Sequence, residues 1–566
     1  MKGKIIFGAV FLLLVSFVFS ACGSKEEEIH EHSYVAVEYE ATCVSDGYVE
    51  YSCECGERYT EKTDDKLGHI YFWSLVSEEE NEIKEEGKCV RCGDVSEKIS
   101  NVSSYDYDTA DTTYLRYVEN EVPLNLSEYC TEDSVAPLSE LLSEVADNKG
   151  HLKNYELCDY AEKIEQAIDS LQYRGNNITQ IFISSEEEIT NDDYVSCQIA
   201  VVPSDKDETP FIYDALSEIK VRGNSTALAD KKGYNFKFSS KNNLFGFGEA
   251  KKWSLLANAY DKTLIRNKIA LDLAKDMGIE YSPESTFVDV WLNGKFVGNF
   301  QLTESIEARD CRVDIDIENG DWLLEIESSR VETDVDYIIT PEYGIRFAVN
   351  EPENITEEQQ REIYDKIGKV ETAIKSGDYS SVEKVIDTES FATFYVFSEF
   401  MKQVDFSYSS TRFYFKDDIL YAGPGWDFDL SSGNVSGDYE DYLKYNNENG
   451  FGENTGKSSD GLWVSSFPWY DALLNYPEFL SLVKNTFSAN ANILRNVFQD
   501  NILGRSKINI LQSDFGSSFS RNYTSAGWSF SQDIGGGRPV TGNYNDCVDY
   551  LRIWFSERYA YLDSKY

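Results

Sequence analysis

Residues 179–566 begin with short segments of alternating apolar and polar residues and continue with helical segments, and this order constrains the fold most. Early segments such as QIFISSEEEI, SCQIAVV and YNFKFS show the two-residue period of half-buried strands. Asn293 and Gly294 separate two further strand-like segments, which predicts a tight hairpin. Because strands come first and helices later, the sequence predicts an α+β fold.

Two helical segments in this region have recognisable ends. The first has apolar residues at every fourth position, namely Ile265, Ile269, Leu273 and Met277. We predict that Asp261 caps its N-terminus and that Gly278 ends it. The second begins at a capping box formed by Thr356 and Gln359. Its predicted buried face consists of Ile363, Tyr364, Ile367 and Val370.

The N-terminus has the layout of an export signal. Lys2 and Lys4 precede the apolar run IIFGAVFLLLVSFVF, and the following residues, ending in Cys22, resemble a bacterial lipobox. We therefore predict a lipoprotein signal peptide over residues 1–21 and lipidation of Cys22. The protein is then extracytoplasmic and anchored to the membrane of the cell envelope through its N-terminal lipid. An ordinary signal cleaved nearby is the alternative.

The net charge limits the kinds of partner. With 52 Lys and Arg against 100 Asp and Glu, the formal charge is −48. Such a surface repels phosphate backbones, so we expect no nucleic-acid partner. A basic protein, or a substrate that arrives with divalent cations, fits this charge better.

Residues 22–100 carry a group of potential metal ligands. The candidates are Cys43, Cys53, Cys55, His69, Cys89 and Cys92. The last two form a C-x-x-C-G knuckle, a spacing typical of tetrahedral zinc sites. Five cysteines are an odd number, which favours a metal site completed by histidine, although disulfides are the alternative for an exported protein. The pattern resembles small Cys/His repeats of clostridial-type surface proteins, and we predict a zinc-ribbon-like β module.

Residues 101–178 are predicted to form a helical connector between this module and the large domain. One segment has apolar residues at helical spacing, namely Leu138, Leu141, Leu142 and Val145. Cys130 and Cys158 lie within the connector and are predicted to be buried thiols. The large domain then spans residues 179–566.

Several motifs of the large domain occur in the order found in the spore-coat CotH kinase family. They are IKVRGNST, YNFKF, LANAYDKTLIRN, LNGKFVGNFQLTESI and LYAGPGWDFDLSSGN. The C-terminal segment VDYLRIWFSERYAYLD is also similar to the closing helix of that family. The resemblance implies an atypical protein-kinase-like fold that binds ATP with a divalent cation. Known members of the family phosphorylate serine on coat proteins, and the resemblance implies the same reaction here.

Phosphoryl transfer needs a bound metal and a carboxylate that orients the attacking hydroxyl. Asp405 follows an apolar helical segment, and Asp427 and Asp429 follow the next predicted hairpin, the order found in ordinary protein kinases. We predict Asp405 as the catalytic carboxylate and the other two as ligands of Mg²⁺ or Mn²⁺. On an extended strand both metal ligands point to one side, while Phe428 packs behind. The alternatives are calcium or turn carboxylates for the pair, and a helix-end turn residue for Asp405.

Four further residues are candidates for binding the nucleotide. Arg222 and Lys237 are the predicted phosphate-binding cations, the first beside a glycine turn and the second on a strand. A simple turn and a solvated strand lysine are the alternatives. Arg266 and Glu304 lie in the family motifs, and the resemblance implies contact with the nucleotide. A buried ion pair and a structural carboxylate are the alternatives for these two.

The sequence thus predicts an extracytoplasmic ATP-dependent kinase that phosphorylates Ser or Thr of an exported surface or coat protein. The alternative is a catalytically inactive surface-anchored binding or coat-assembly protein with the same fold. A metal-dependent hydrolase or nucleotidyl transferase using the same carboxylates is a third class. The sequence lacks the G-x-x-x-x-G-K-[ST] phosphate loop, which argues against a P-loop ATPase. Only 4 histidines are present, which argues against a Ser-His-Asp hydrolase.

Overall fold

The computed structural model divides the chain into two compact units, Met1–Arg174 and Gly175–Tyr566. Apart from residues 10–11, the predicted signal and Cys22 lie outside the described residues. The structure describes residues 10–11, 34–39, 41–53, 55–102, 105, 107–119, 122, 126, 130–171, 178–207, 209–223, 225–328, 337–438, 441, 456–501, 505–530 and 542–566.

The N-terminal unit contains two antiparallel sheets. The first sheet runs in chain order through β1 (Val10–Phe11), β2 (Tyr34–Tyr39), β3 (Gly47–Cys53) and β4 (Arg58–Asp64). The second sheet consists of β5 (Tyr71–Glu79), β6 (Glu82–Cys89) and β7 (Val95–Asn101). The helices of this unit are α1 (Thr113–Glu119), α2 (Glu132–Asn148) and α3 (Asn154–Asp169).

Helix α3 packs against the second sheet through polar contacts as well as apolar ones. The buried Glu85 carboxylate of β6 accepts hydrogen bonds from the Asn154 side chain and from the Tyr155 backbone N–H, both at 2.9 Å. Cys158 on the same helix accepts the backbone N–H of Trp73 at 3.2 Å. Cys130 and Cys158 are both buried, as predicted. The helical segment and the second sheet therefore belong to one compact unit.

The C-terminal unit begins with a closed seven-stranded barrel of β8 (Gln180–Ser184), β9 (Val195–Val202), β10 (Ile212–Arg222), β11 (Gly233–Asn243), β12 (Glu249–Leu256), β13 (Ser285–Leu292) and β14 (Lys295–Glu304). The strand order around the barrel is β10-β11-β12-β14-β13-β8-β9. All neighbouring strands are antiparallel except β8 and β13, which are parallel. The predicted hairpin is confirmed between β13 and β14, where Asn293 and Gly294 have φ values of 48° and 73°.

A second, five-stranded sheet and a set of helices complete this unit. The sheet order is β16-β17-β15-β18-β19, from β15 (Trp322–Glu327), β16 (Tyr337–Ile339), β17 (Arg346–Glu351), β18 (Ser409–Lys416) and β19 (Ile419–Ala422). The helices are α4 (Arg266–Asp276), α5 (Glu357–Lys375), α6 (Tyr379–Val382), α7 (Thr388–Met401), α8 (Pro468–Leu473), α9 (Pro477–Asn496), α10 (Lys507–Thr524) and α11 (Tyr544–Asp563). The mixture of barrel, sheet and helices confirms the α+β class. No helix within the described ranges is both long and apolar enough to cross a bilayer.

The helix ends agree with the sequence in part. The Thr356–Gln359 capping box opens α5 as predicted, and Gly278 follows α4 with a φ of 79°. Asp261 is not the N-cap residue of α4, because that position is Ile265. Instead, the Asp261 side chain, five residues before Arg266, accepts a hydrogen bond from the Arg266 backbone N–H.

The predicted buried face of α5 is correct except at one position. Ile363, Ile367 and Val370 are buried, but Tyr364 is 43% exposed. Tyr364 comes one residue after Ile363, so its side chain points about 100° further around the α-helix and away from the core.

Helix α7 of the C-terminal unit is buried along most of its length. Its Glu399 side chain forms an ion pair with Arg558 of α11 at 2.7 Å, and both side chains are fully buried. The same carboxylate accepts the backbone N–H groups of Trp463 and Ser465. Arg558 also donates to the carbonyl oxygens of Ser459 and Gly461. One charged pair thus joins two helices and an irregular segment inside the core.

Loss of one partner from this pair leaves an uncompensated buried charge. We predict that Glu399→Ala lowers the free energy of unfolding of the C-terminal unit by about 3–5 kcal/mol. The control is Glu342→Ala, which breaks the Glu342–Lys375 pair, whose side chains are 43% and 47% exposed. This control is expected to cost less than about 1 kcal/mol. Urea unfolding followed by tryptophan fluorescence measures both, and equal losses for the two variants would contradict the prediction.

Candidate functional site

A cavity of about 830 Å³ lies in the C-terminal unit, between one side of the barrel and the five-stranded sheet. Strands β10 and β11, the segment after β12, and helix α4 contribute its barrel-side wall. The opposite wall comes from β15, β18, the turn after α7 and the loop after β19. The charged residues that line it are Asp192, Lys220, Arg222, Glu325, Asp405, Arg412, Asp427 and Asp429.

Three carboxylates predicted from the sequence are brought together in this cavity: Asp405, Asp427 and Asp429. Helix α7 ends at Met401, its C-cap residue Lys402 has a left-handed φ of 49°, and Asp405 follows in the next turn. The carbonyl oxygen of Asp405 accepts the backbone N–H groups of Tyr408 and Ser409 at 2.7 and 2.9 Å. This turn fixes the backbone from which the Asp405 side chain projects.

The two other carboxylates do not lie on an extended strand, so that part of the prediction is wrong. Residues 423–428 follow β19 as an irregular loop, and Asp427 has a left-handed φ of 65°. Phe428 nevertheless packs behind them, fully buried and 5.2 Å from the ring of Phe397. Its backbone N–H donates to the Asn267 side chain at 2.7 Å. Loop geometry and the buried phenylalanine, rather than strand alternation, bring the two aspartates together.

The electrostatics of the cavity favour a bound cation. Burial raises the pKa of Asp429 well above its usual value, and the charges of Asp427 and Asp405 raise it further. Asp429 is buried, whereas Asp405 is partly buried and Asp427 is exposed. A cation that binds between them relieves the repulsion that the other two carboxylates exert on Asp429. These three residues could therefore hold a metal ion with hard oxygen ligands.

Arg222 provides positive charge on the barrel side of the cavity. Its guanidinium lies 5.3 Å from the ring centroid of Trp426, the residue before Asp427. Burial lowers the pKa of Arg222, while the charges of Asp427 and Asp429 raise it. An arginine so close to the carboxylates can bind phosphate groups of a ligand that also carries a metal.

Lys237 lies outside the residues that line the cavity. Strands β10 and β11 pair so that Arg222 faces Gly233, Lys220 faces Asn235, and Glu218 faces Lys237. The first two of these cross-strand pairs line the cavity, whereas Lys237 lies beyond its edge, 3.7 Å from the Glu218 carboxylate. The strand lysine that reaches the cavity is Lys220.

Arg266 and Glu304 also lie outside the cavity lining, in buried ion pairs. Arg266 pairs with Asp261, and both side chains are almost fully buried. Glu304 pairs with Arg312 and accepts the backbone N–H of Glu284. These contacts match the structural alternatives for both residues.

Several cavity residues were missed by the sequence analysis: Lys220, Asn258, Asn267, Glu325 and Arg412. Lys220 could have been found, because it lies two residues before Arg222 and therefore on the same face of one strand. Glu325 and Arg412 face each other across the β15–β18 pair. These strands are far apart in the chain, and no local pattern predicts their pairing.

In the N-terminal unit, Cys43, His69, Cys89 and Cys92 form a group whose ligand atoms all lie within 4.8 Å of one another. The Sγ atoms of Cys43 and Cys89 are 3.8 Å apart, too far for a disulfide. Cys43, Cys89 and Cys92 are all unoxidised thiols. The group has the number and type of ligands of a tetrahedral metal site.

The two other predicted ligands, Cys53 and Cys55, are not part of this group. Cys43 precedes β3, whereas Cys53 ends that strand. A strand of this length spans about 20 Å, so residues at its two ends cannot share one metal ion. The six candidates are therefore reduced to four.

The thiols of this group differ in acidity. Burial raises the pKa of Cys43 to about 11. Burial also opposes ionisation of Cys89, but hydrogen bonds from the Cys92 backbone and the His69 ring lower the pKa of Cys89 to about 6. A thiolate is the form that binds metal, so Cys89 is prepared for coordination.

Comparison with known proteins agrees with the geometry of the C-terminal unit. A family model described as CotH kinase protein matches residues 219–562, more than half of the 566 residues. The matched range contains Arg222 and the three cavity carboxylates, together with β15, β18 and α7. No curated protein matches the sequence. The chain belongs to the CotH kinase protein family.

Proposed function

We propose that this protein is an extracytoplasmic kinase that transfers phosphate from ATP to Ser or Thr of an exported surface or coat protein. The observation that supports the proposal most is the meeting of Asp405, Asp427 and Asp429 with Arg222 in one cavity. Phosphoryl transfer requires carboxylates for metal and hydroxyl, and a cation for the phosphates. Family membership supports a kinase-like protein.

Asp427 and Asp429 are the proposed ligands of Mg²⁺ or Mn²⁺. Their oxygens suit these hard cations, and a bound cation relieves the repulsion that raises the pKa of Asp429. The metal neutralises charge on the phosphates when ATP is bound. Arg222 binds phosphate oxygens from the barrel side. It lies against Trp426, so its orientation is restricted before ligand binds.

Asp405 is the proposed residue that orients the substrate hydroxyl and accepts its proton. It projects from a turn held by two backbone hydrogen bonds, and it faces the same cavity as the metal ligands. Helix α7, this turn, the β18–β19 hairpin and Asp427 follow one another in the order found in protein kinases. The order supports an atypical kinase-like arrangement.

The proposed location rests on the sequence. The export signal and Cys22 support a lipid-anchored protein of the cell envelope. Its substrate is then another exported protein. The alternative function, a catalytically inactive binding or coat-assembly protein, uses the same fold without nucleotide turnover. Metal-dependent ATP binding distinguishes the two proposals.

Asp427→Asn removes one metal ligand while keeping the shape of the side chain. We expect calorimetric titration of residues 23–566 with ATP and Mg²⁺ to show metal-dependent binding, weakened about tenfold or more by the substitution. Asp365→Asn is the matched control, because it makes the same charge change on the exposed side of α5. Its affinity should equal that of the unchanged protein.

If the unchanged protein binds no ATP with either Mg²⁺ or Mn²⁺, the kinase proposal is wrong and the binding or assembly role is the better account. Where binding is found, mass spectrometry of a phosphorylated exported protein separates kinase activity from nucleotidyl transfer. A kinase adds a phosphoryl group, whereas a nucleotidyl transferase adds AMP.

We also propose that the N-terminal unit holds one structural zinc ion. The group of Cys43, His69, Cys89 and Cys92 supplies the three sulfur ligands and one nitrogen ligand of a common structural zinc site. Cys43 lies in the loop between β2 and β3 of the first sheet, whereas Cys89 is the last residue of β6 in the second sheet. A metal at this point therefore ties the two small sheets together.

Cys89→Ser should remove zinc from the purified protein, because it replaces a thiolate ligand with a hydroxyl. Elemental analysis of the full mature chain should find zinc in the unchanged protein and little in this variant. Cys55→Ser is the control, since this exposed cysteine lies outside the group, and it should retain zinc. A Cys43–Cys89 disulfide in non-reducing mass spectrometry, with no zinc present, would contradict the proposal.

A further inference from the structure

Arg412 is a second guanidinium of the cavity, and it is held firmly in place. It lies on β18 directly across from Glu325 of β15. The two side chains form an ion pair with a separation of 3.0 Å, and Arg412 is only 9% exposed. The same Glu325 oxygen accepts a hydrogen bond from the Asn350 amide at 3.1 Å. This network orients Arg412 without any ligand.

Arg412 and Arg222 lie against the same aromatic ring. Their guanidinium carbons are 5.6 and 5.3 Å from the ring centroid of Trp426. The two are close enough that the charge of Arg412, after burial, lowers the pKa of Arg222. Two neighbouring guanidinium groups repel each other, and an anionic ligand that binds both relieves this repulsion. Phosphate oxygens match the geometry of the guanidinium fork.

Arg412 is also close to the proposed metal ligands. It donates to the carbonyl oxygen of Ser410 at 3.4 Å, and the Ser410 hydroxyl donates to Asp427 at 3.2 Å. Together with Arg222, it places positive charge beside the carboxylates. A divalent cation bound on this side of Asp427 would meet both guanidinium groups and be repelled by them.

Three of the four asparagines that line the cavity are hydrogen-bonded through their side-chain oxygens, namely Asn235, Asn258 and Asn267. The fourth, Asn191, lies on the exposed loop between β8 and β9. In ordinary protein kinases an asparagine after the catalytic aspartate holds the second metal ion. Here the strand after Asp405 presents Arg412 to the cavity instead.

We propose that the cavity takes one divalent cation per nucleotide, and that Arg412 binds the nucleotide phosphates together with Arg222 where a second cation would otherwise lie. This inference rests on the proposed function, because it concerns how the same site holds a metal–nucleotide. It makes Arg412 a ligand-contacting residue of the site. Glu325 is then a positioning residue that acts through Arg412.

The test is a titration of Mn²⁺ into residues 23–566 with a non-hydrolysable ATP analogue, with free Mn²⁺ followed by electron paramagnetic resonance. We expect one Mn²⁺ per bound nucleotide in the unchanged protein. Arg412→Lys should keep this ratio and weaken nucleotide binding about tenfold, because lysine cannot bind phosphate in a bidentate manner. Arg412→Asn offers an amide oxygen without positive charge, and the ratio should rise to two.

The matched control is Arg346→Asn, which removes an arginine from β17 of the same sheet, outside the cavity lining. It should leave the ratio and the affinity unchanged. Two Mn²⁺ per nucleotide in the unchanged protein would overturn this inference but leave the kinase proposal intact. Unaltered nucleotide affinity in Arg412→Lys would overturn the role of Arg412. Absence of nucleotide binding in the unchanged protein would overturn both the inference and the proposed function.

Discussion

The buried ion pair between Glu399 and Arg558 is the interaction on which the rest of the C-terminal unit depends. It fixes α7 inside the core, where a charge without a partner would be very costly. The end of this helix then supports both halves of the candidate site. Asp405 lies in the turn that follows, and the Met401 carbonyl accepts the backbone N–H of Ser432 in the loop after Asp429. Stability of the core and geometry of the site are thus linked through one helix.

The site itself is an arrangement of opposed charges around one cavity. Carboxylates come from the turn after α7 and the loop after β19, and arginines come from β10 and β18. Neither set is favourable alone, because like charges are crowded in a partly buried space. The proposed metal–nucleotide would satisfy both sets, since its cation suits the carboxylates and its phosphates suit the arginines. This complementarity is the physical basis of the proposed kinase function.

The sequence predicted the features that depend on local chemistry. The α+β class, the Asn293-Gly294 hairpin and the Thr356 capping box follow from short patterns and are confirmed. Predictions that depended on distant strand pairing were incomplete. Lys237 lies two residues beyond Asn235 on β11 and so outside the cavity, and Arg412 enters the cavity only because β18 pairs with β15. The left-handed backbone of Asp427, next to the buried Phe428, is likewise a feature that sequence spacing does not show.

The cavity carboxylates and Arg222 are the proposed two ends of one metal–nucleotide site. The most direct measurement is a crystal structure of the mature chain with Mg²⁺ and a non-hydrolysable ATP analogue. We expect the cation on Asp427 and Asp429 and the phosphates against Arg222. A nucleotide bound outside this cavity, or inside it with a cation that touches neither carboxylate, would contradict the account.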